Sequence, residues 1–186
     1  MRTRLNALTA CAVLVAGCAV VVAGCASMGA SGGGGGGTGK AQAVGAPIPD
    51  LTLRRLDGGG AIRLGSLRGK VVLLDIWASW CAPCKEEMPL LDDIAGRLRR
   101  QGVEIIAVSI DEDKASAQAF LATRPRWALT LVHDPESKVP DRLQPAKMPT
   151  SYIIDGAGVV QEINEGFVRA DAARIESRLR ALASAR

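Results

Sequence analysis

Two cysteines, Cys81 and Cys84, stand two residues apart in the segment Trp77-Ala78-Ser79-Trp80-Cys81-Ala82-Pro83-Cys84-Lys85-Glu86-Glu87-Met88-Pro89. Thiols at this spacing can form and break a disulfide with a partner, one attacking as the thiolate and the second resolving the mixed disulfide. An apolar run ends just before them and a helical pattern starts just after, so Cys81 falls at a helix N-terminus. Unpaired backbone N–H groups and the helix dipole favour an anion there. That lowers the thiol's pKa and makes Cys81 a usable nucleophile near neutral pH. Cys84, nearly one turn on, is within reach of Cys81 and is expected to be the more buried and the slower to ionise.

Other uses of a cysteine pair fit less well. Half a zinc site needs two further ligands, and the chain offers only leader cysteines and one histidine, His133. A purely structural bridge across two residues closes too small a loop to restrain the unfolded chain much. Haem attachment requires a histidine after the second cysteine, where Lys85 stands.

The elements that must position the pair can be read from pattern. Residues 51–53 and 61–64 are short strands around the turn Asp57-Gly58-Gly59-Gly60. Residues 70–77 are a run of β-branched and apolar residues interrupted inside only by Asp75, as in a strand buried on both faces. Pro83 suits the first turn of a helix running to about Arg100, with Met88, Leu91, Ile94, Ala95 and Leu98 at helical spacing and Gly102 as its stop. Further strands are expected at 103–110, 129–132, 150–155 and 159–164, and helices at 114–123, 136–143 and 170–183. Alternating strands and helices argue an α/β layer structure. The tight turn Gly156-Ala157-Gly158 makes the last two strands antiparallel, so the sheet is mixed.

The first forty residues differ in kind. Arg2 and Arg4 form a positive start, and no charge follows until Lys40. The apolar stretch 7–24 has the character of an export signal. Leu14-Val15-Ala16-Gly17-Cys18 and Val21-Val22-Ala23-Gly24-Cys25 both resemble the signal box of bacterial lipoproteins. Cys25 is the favoured lipidation site, because cleavage there hands over directly to a small-residue spacer; an uncleaved anchor or an ordinary cleaved signal are the alternatives. Residues 25–43, with unbroken glycine from Gly32 to Gly37, form a linker. Residues 1–24 are thus expected to be a signal peptide and 44–186 the folded domain, outside the cytoplasm where disulfides persist. The chain's formal charge is +4, nearly balanced once Arg2 and Arg4 are set aside, so it has no basic stripe for nucleic acid.

The run Trp80, Cys81, Pro83, Cys84, Glu87 and Pro89 fills every fixed position of Trp-Cys-x-Pro-Cys-x-x-Glu-x-Pro, and by it the domain resembles the TlpA/ResA-like branch of the thioredoxin superfamily. Those proteins are membrane-tethered extracytoplasmic thiol–disulfide oxidoreductases of bacteria. The resemblance implies a thioredoxin-like fold: a central mixed sheet with helices on both faces and an N-terminal β-hairpin extension. It implies protein thiol or disulfide substrates, an envelope electron-transfer partner, a monomer, and no metal or organic cofactor. Lys147-Met148-Pro149-Thr150 resembles the family's cis-proline segment, which would make Pro149 cis, packed on the disulfide, with the Met148 backbone offered to an incoming peptide. Read from the residues alone, Pro149 is equally an ordinary trans proline before a strand.

Two carboxylates carry open alternatives. Asp75 lies in an apolar strand, where ionisation is costly and its pKa should rise. It aligns with the buried Asp of thioredoxin, which handles the second cysteine's proton, or it is a strand-end Asp reaching solvent or a backbone partner. Glu87 fills the family's Glu, which tunes thiol acidity, or it is a solvated helix-face residue, as Glu86 is expected to be. Trp80 flanks the nucleophile and would shield one side of the disulfide. Trp77 is expected in the core, Trp127 at the domain edge, and His133 at a strand end before Asp134-Pro135, structural or solvated and not catalytic. The favoured direction is reduction of exported proteins, for example in cytochrome c maturation; an oxidase or isomerase uses the same residues. A thiol peroxidase lacks its Thr-x-x-Cys setting here, and a copper-delivery protein of the Sco type lacks its longer cysteine spacing.

Overall fold

The computed structural model describes residues 41–185. The signal stretch, Cys18, Cys25 and the glycine run lie outside the described residues. Seven strands form one sheet in the order β2-β1-β5-β4-β3-β6-β7. They are β1 (Thr52–Arg55), β2 (Ala61–Arg63), β3 (Val71–Trp77), β4 (Val103–Ser109), β5 (Thr130–His133), β6 (Thr150–Ile154) and β7 (Val160–Glu165). The four helices are α1 (Ala82–Leu98), α2 (Lys114–Leu121), α3 (Lys138–Leu143) and α4 (Asp171–Ser184). β3, β4 and β5 are parallel, while β6 and β7 are each antiparallel to their neighbours, so the sheet is mixed as expected.

β3 is buried along its whole length, and its alternating side chains feed two separate cores. Val71, Leu73 and Trp77 face the layer of α1, α2 and α4, where they meet Met88, Leu91 and Leu179. Val72, Leu74 and Ile76 face the other side, against Ile48, Val139, Leu143 and Tyr152. Helices therefore cover both faces, which is why β3 reads as a continuous apolar run and not an alternating one. The hairpin β1–β2 extends the sheet beyond β5, pairing antiparallel through Arg54–His133 and Arg55–Val132. Its outer strand has only three residues, which limits the open edge.

α1 ends as the sequence indicates: a short 3-10 turn, Arg99–Gln101, runs into Gly102 at φ 76°, a left-handed position glycine adopts without strain. Pro89 sits inside α1 and has no N–H to donate. The Pro89 carbonyl instead receives the Arg124 guanidinium at 3.3 Å, which ties the segment after α2 to α1.

Candidate active site

The strand–turn–helix at the end of β3 sets the cysteines. Cys81 is the N-cap of α1, with extended backbone (φ −85°, ψ 102°), and its sulfur accepts the Cys84 N–H at 3.3 Å. Its carbonyl receives the Lys85 N–H, the first bond of the helix. Cys81 and Cys84 are disulfide-bonded, with Cα atoms 5.3 Å apart. Both are buried, Cys84 completely, in the order the sequence implied. Pro83 lies in the first turn on the exposed side.

The Met148–Pro149 peptide is cis. Thr150 pairs with Ile76, so Pro149 lies at the same end of the sheet as Cys81, on the strand next to β3. The Thr150 hydroxyl donates to the Lys147 carbonyl at 2.6 Å and holds the turn. Met148 is partly buried and touches both cores.

Asp75 and Glu87 come together beneath the cysteines. Asp75 shares its face of β3 with Leu73 and Trp77 and so points toward α1. Glu87 follows Cys84 by three residues and precedes Leu91 by four, on the buried face of α1. Both carboxyls are buried, and neither Asp75 oxygen nor Glu87 Oε2 has a hydrogen-bond partner among the described residues. Burial pushes both pKa values up; for Glu87 the charges of Asp75 and then Asp171 push the same way. Each carboxyl thus favours its protonated form, and the first to ionise discourages the second. The alternatives of a strand-end Asp reaching solvent and a solvated Glu87 are excluded. Glu86 is on the exposed side.

Sequence reasoning missed what fixes the turn carrying the cysteines. Asp111, buried just after β4, accepts the Ser79 N–H at 3.0 Å, the Ser79 hydroxyl at 2.7 Å and the Ser109 hydroxyl at 2.9 Å. The available signal was a carboxylate two residues after a buried strand. His133 ends β5, at the strand end the sequence indicates, and it has a partner there: its Nε2 lies 2.7 Å from the Asp111 carbonyl oxygen. Trp77 is core, its ring tilted against Phe120 with centroids 5.3 Å apart, and Trp127 at the edge is tilted against Phe120 and lies under the Arg124 guanidinium. Trp80 stands out at 66% exposure beside Cys81.

A disulfide at a helix N-terminus, beside a cis proline in a mixed sheet layered by helices, defines a thioredoxin-like thiol–disulfide oxidoreductase. The comparisons agree. The sequence profile of the AhpC/TSA family matches residues 44–163. The thiol-disulfide oxidoreductase ResA of Oceanobacillus iheyensis is 35% identical over 149 residues, 77% of this chain and 75% of that protein. The ResA of Geobacillus kaustophilus is 38% identical over 128 residues, covering 68% and 71%. A crystal structure described as a thiol:disulfide interchange protein DsbE from Chlorobium tepidum superposes with a TM-score of 0.72 at 32% identity, covering 77% of this chain and 99% of that one. The exposed lipoprotein thioredoxin Etrx1 of Streptococcus pneumoniae superposes at 0.62 and 29% identity, covering 72% and 100%. The chain belongs to the AhpC/TSA family of the thioredoxin superfamily, within its ResA-like thiol–disulfide oxidoreductases.

Proposed function

We propose that this protein is a lipid-anchored, extracytoplasmic reductase of disulfides in exported proteins, apocytochrome c among them. The carrying observation is the Cys81–Cys84 disulfide at the start of α1 with Asp75 and Glu87 buried and unpartnered beneath it. A relative named for disulfide interchange and a similar structure titled as an exposed lipoprotein support the setting, together with the signal box ending at Cys25.

The cycle starts from the dithiol. The Cys81 thiolate, favoured by the α1 N-terminus, attacks one sulfur of the substrate disulfide; the substrate S–S bond breaks and its other sulfur leaves as a thiolate that takes up a proton. Cys84, buried and in thiol form, then gives its proton to whichever carboxyl of the Asp75–Glu87 pair stands ionised, while the other keeps its own. Its sulfur attacks Cys81, freeing the substrate dithiol and leaving the protein oxidised. A second thiol protein of the envelope restores the dithiol with two electrons. Met148 and Pro149 face the incoming chain, and Trp80 screens one side of the sulfur.

The test is the reduction potential of the Cys81–Cys84 couple, measured against thiol–disulfide buffers. A strongly reducing value supports the reductase; a strongly oxidising one reverses the assignment to a disulfide donor; no reversible two-electron couple sinks both. C84S should trap a mixed disulfide with substrate, visible on a non-reducing gel, and C81S should not. For the anchor, C25A should release the protein from membranes while C18A leaves it bound.

A further inference from the structure

We propose that the surface around Cys81 is a charge-polarised docking face that selects an extended, disulfide-bearing protein segment with basic residues on one side of its cysteine and acidic residues on the other. This deepens the oxidoreductase reading and rests on it.

The strand order lays out the face. At the end of the sheet where Cys81 sits, the loops follow the sequence of strands: 134–137 after β5, 110–113 after β4, Cys81 after β3, Met148–Pro149 before β6 and 166–169 after β7. Four strand spacings of about 4.8 Å span about 19 Å, which about six extended residues would cover. Three large hydrophobic side chains are exposed among the described residues, and two of them, Trp80 at 66% and Val168 at 64%, stand on this row, one on each side of the Cys81–Pro149 centre. The β7 side is tied to that centre: the Gly166 N–H donates to the Pro149 carbonyl at 2.7 Å.

The two halves differ in charge: acids line the first, while Lys147 and Arg169 stand on the second, with Glu165 at the end of β7 the exposed acid beside them. From Trp80 toward β5 runs a groove of about 690 Å³, with Ser79, Trp80 and Ile110 lining it beside Asp111, Glu112, Asp113 and Glu136. No Lys, Arg or His lines this groove among the described residues. Asp111 is committed to Ser79, Asp113 caps α2, and Glu136 pairs with Lys138, whereas Glu112 is exposed with no ion pair among the described residues. On the other half, Lys147 lies against Gly166 and Arg169 is next to Val168; both are exposed, with no carboxylate partner among the described residues. Ser79 and Trp80, the two residues before Cys81, line the groove, so a substrate segment that crosses Cys81 toward β5 passes over it. Basic residues fit over the groove, and acidic ones over Lys147 and Arg169. Complementarity of this kind sets orientation and capture rate more than final affinity.

The test uses the reduced full-length protein in detergent and two peptides of one composition. Each holds a single cysteine in a mixed disulfide with thionitrobenzoate. One has two lysines before the cysteine and two glutamates after it; the other has the order reversed. The protein's dithiol gives two electrons, Cys81 displaces thionitrobenzoate, Cys84 resolves the mixed disulfide, and the released chromophore reports the rate. The two orders should differ by about tenfold at low salt. The gap should close toward onefold at about 1 M salt, where screening acts within about 3 Å. E112Q/E136Q and K147Q/R169Q should each narrow it. Equal rates for the two orders, or a gap untouched by salt, overturns the proposal without need of any variant. Hydroxyethyl disulfide, small and uncharged, separates the failures. If it is reduced while the peptides react alike, only the docking face is wrong; if it is not reduced, the oxidoreductase reading fails as well.

Discussion

Asp75, on β3, and Asp111, two residues past the end of the adjacent β4, lie near the Cys81 end of the sheet, and both are buried. Their surroundings are opposite. Asp111 has donors on Ser79 and Ser109 aimed at its oxygens. Asp92 likewise receives the Ala128 and Leu129 N–H groups, and Asp134 receives the Val139 N–H at 2.7 Å. Both oxygens of Asp75, and Oε2 of Glu87, have no such donors among the described residues. A carboxylate surrounded by N–H and O–H groups is at home as an anion and serves as a staple between loops. A buried carboxyl without donors is an unfavourable place for charge and therefore a place where a proton is held and released. One region uses carboxylates to hold the turn around the cysteines; the other holds the carboxyls to which the proposed cycle assigns the cysteine's proton.

Removing a staple should have the largest effect. D111A leaves Ser79 and Ser109 donors without an acceptor and should lower stability by about 2–4 kcal/mol in urea unfolding, with D111N recovering part of it. An unchanged midpoint would mean the Ser79 turn holds without Asp111.

The unpartnered pair should instead shape the pH dependence. A carboxyl with a raised folded-state pKa keeps its proton where the unfolded chain has lost it. Stability is then full below the ordinary carboxyl range and falls as pH rises through the raised values, by up to about 1.4 kcal/mol per pH unit for each proton held. Unfolding free energy should therefore drop between about pH 4 and pH 9, and D75N/E87Q should flatten that drop and be the more stable protein at the upper end. A drop of the same slope in the double variant would place its origin elsewhere.

The same contrast should appear in rates. D75N and E87Q should each slow resolution of the mixed disulfide by about 10–100-fold, with a displaced pH profile. D92N, one helical turn further along α1, should stay within about twofold. Quenched-flow with non-reducing gels follows the intermediate directly, and equal slowing by D92N would erase the distinction. Smallest of all, R97A breaks the exposed Arg97–Glu176 pair between α1 and α4 and should cost less than about 1 kcal/mol by thermal melting.

Much of this was legible along the chain. Cys81 at a helix start, Pro83 in the first turn, Gly102 as a stop and the continuous burial of β3 follow from local rules that the fold does not override. Asp75 was readable as buried because its neighbours are all apolar. Glu87 was readable in principle: Cys84, Met88, Leu91 and Leu98 mark the buried face of α1, and position 87 falls on it. A glutamate there was set against the rule that charged residues seek water, and two outcomes stayed open until the fold closed over it.

What the sequence determined by itself is the chemistry: two cysteines at a reactive spacing, a helix to activate the first, and an apolar strand to bury an acid nearby. Those depend on residues within a few positions of one another. The tertiary structure alone decided the pairing of Asp75 with Glu87, the Asp111 staple across to Ser79, and the charges gathered along the rim. Each of these joins residues far apart in the chain, and strand order, which brings β3, β4, β6 and β7 side by side, is what sets their distance.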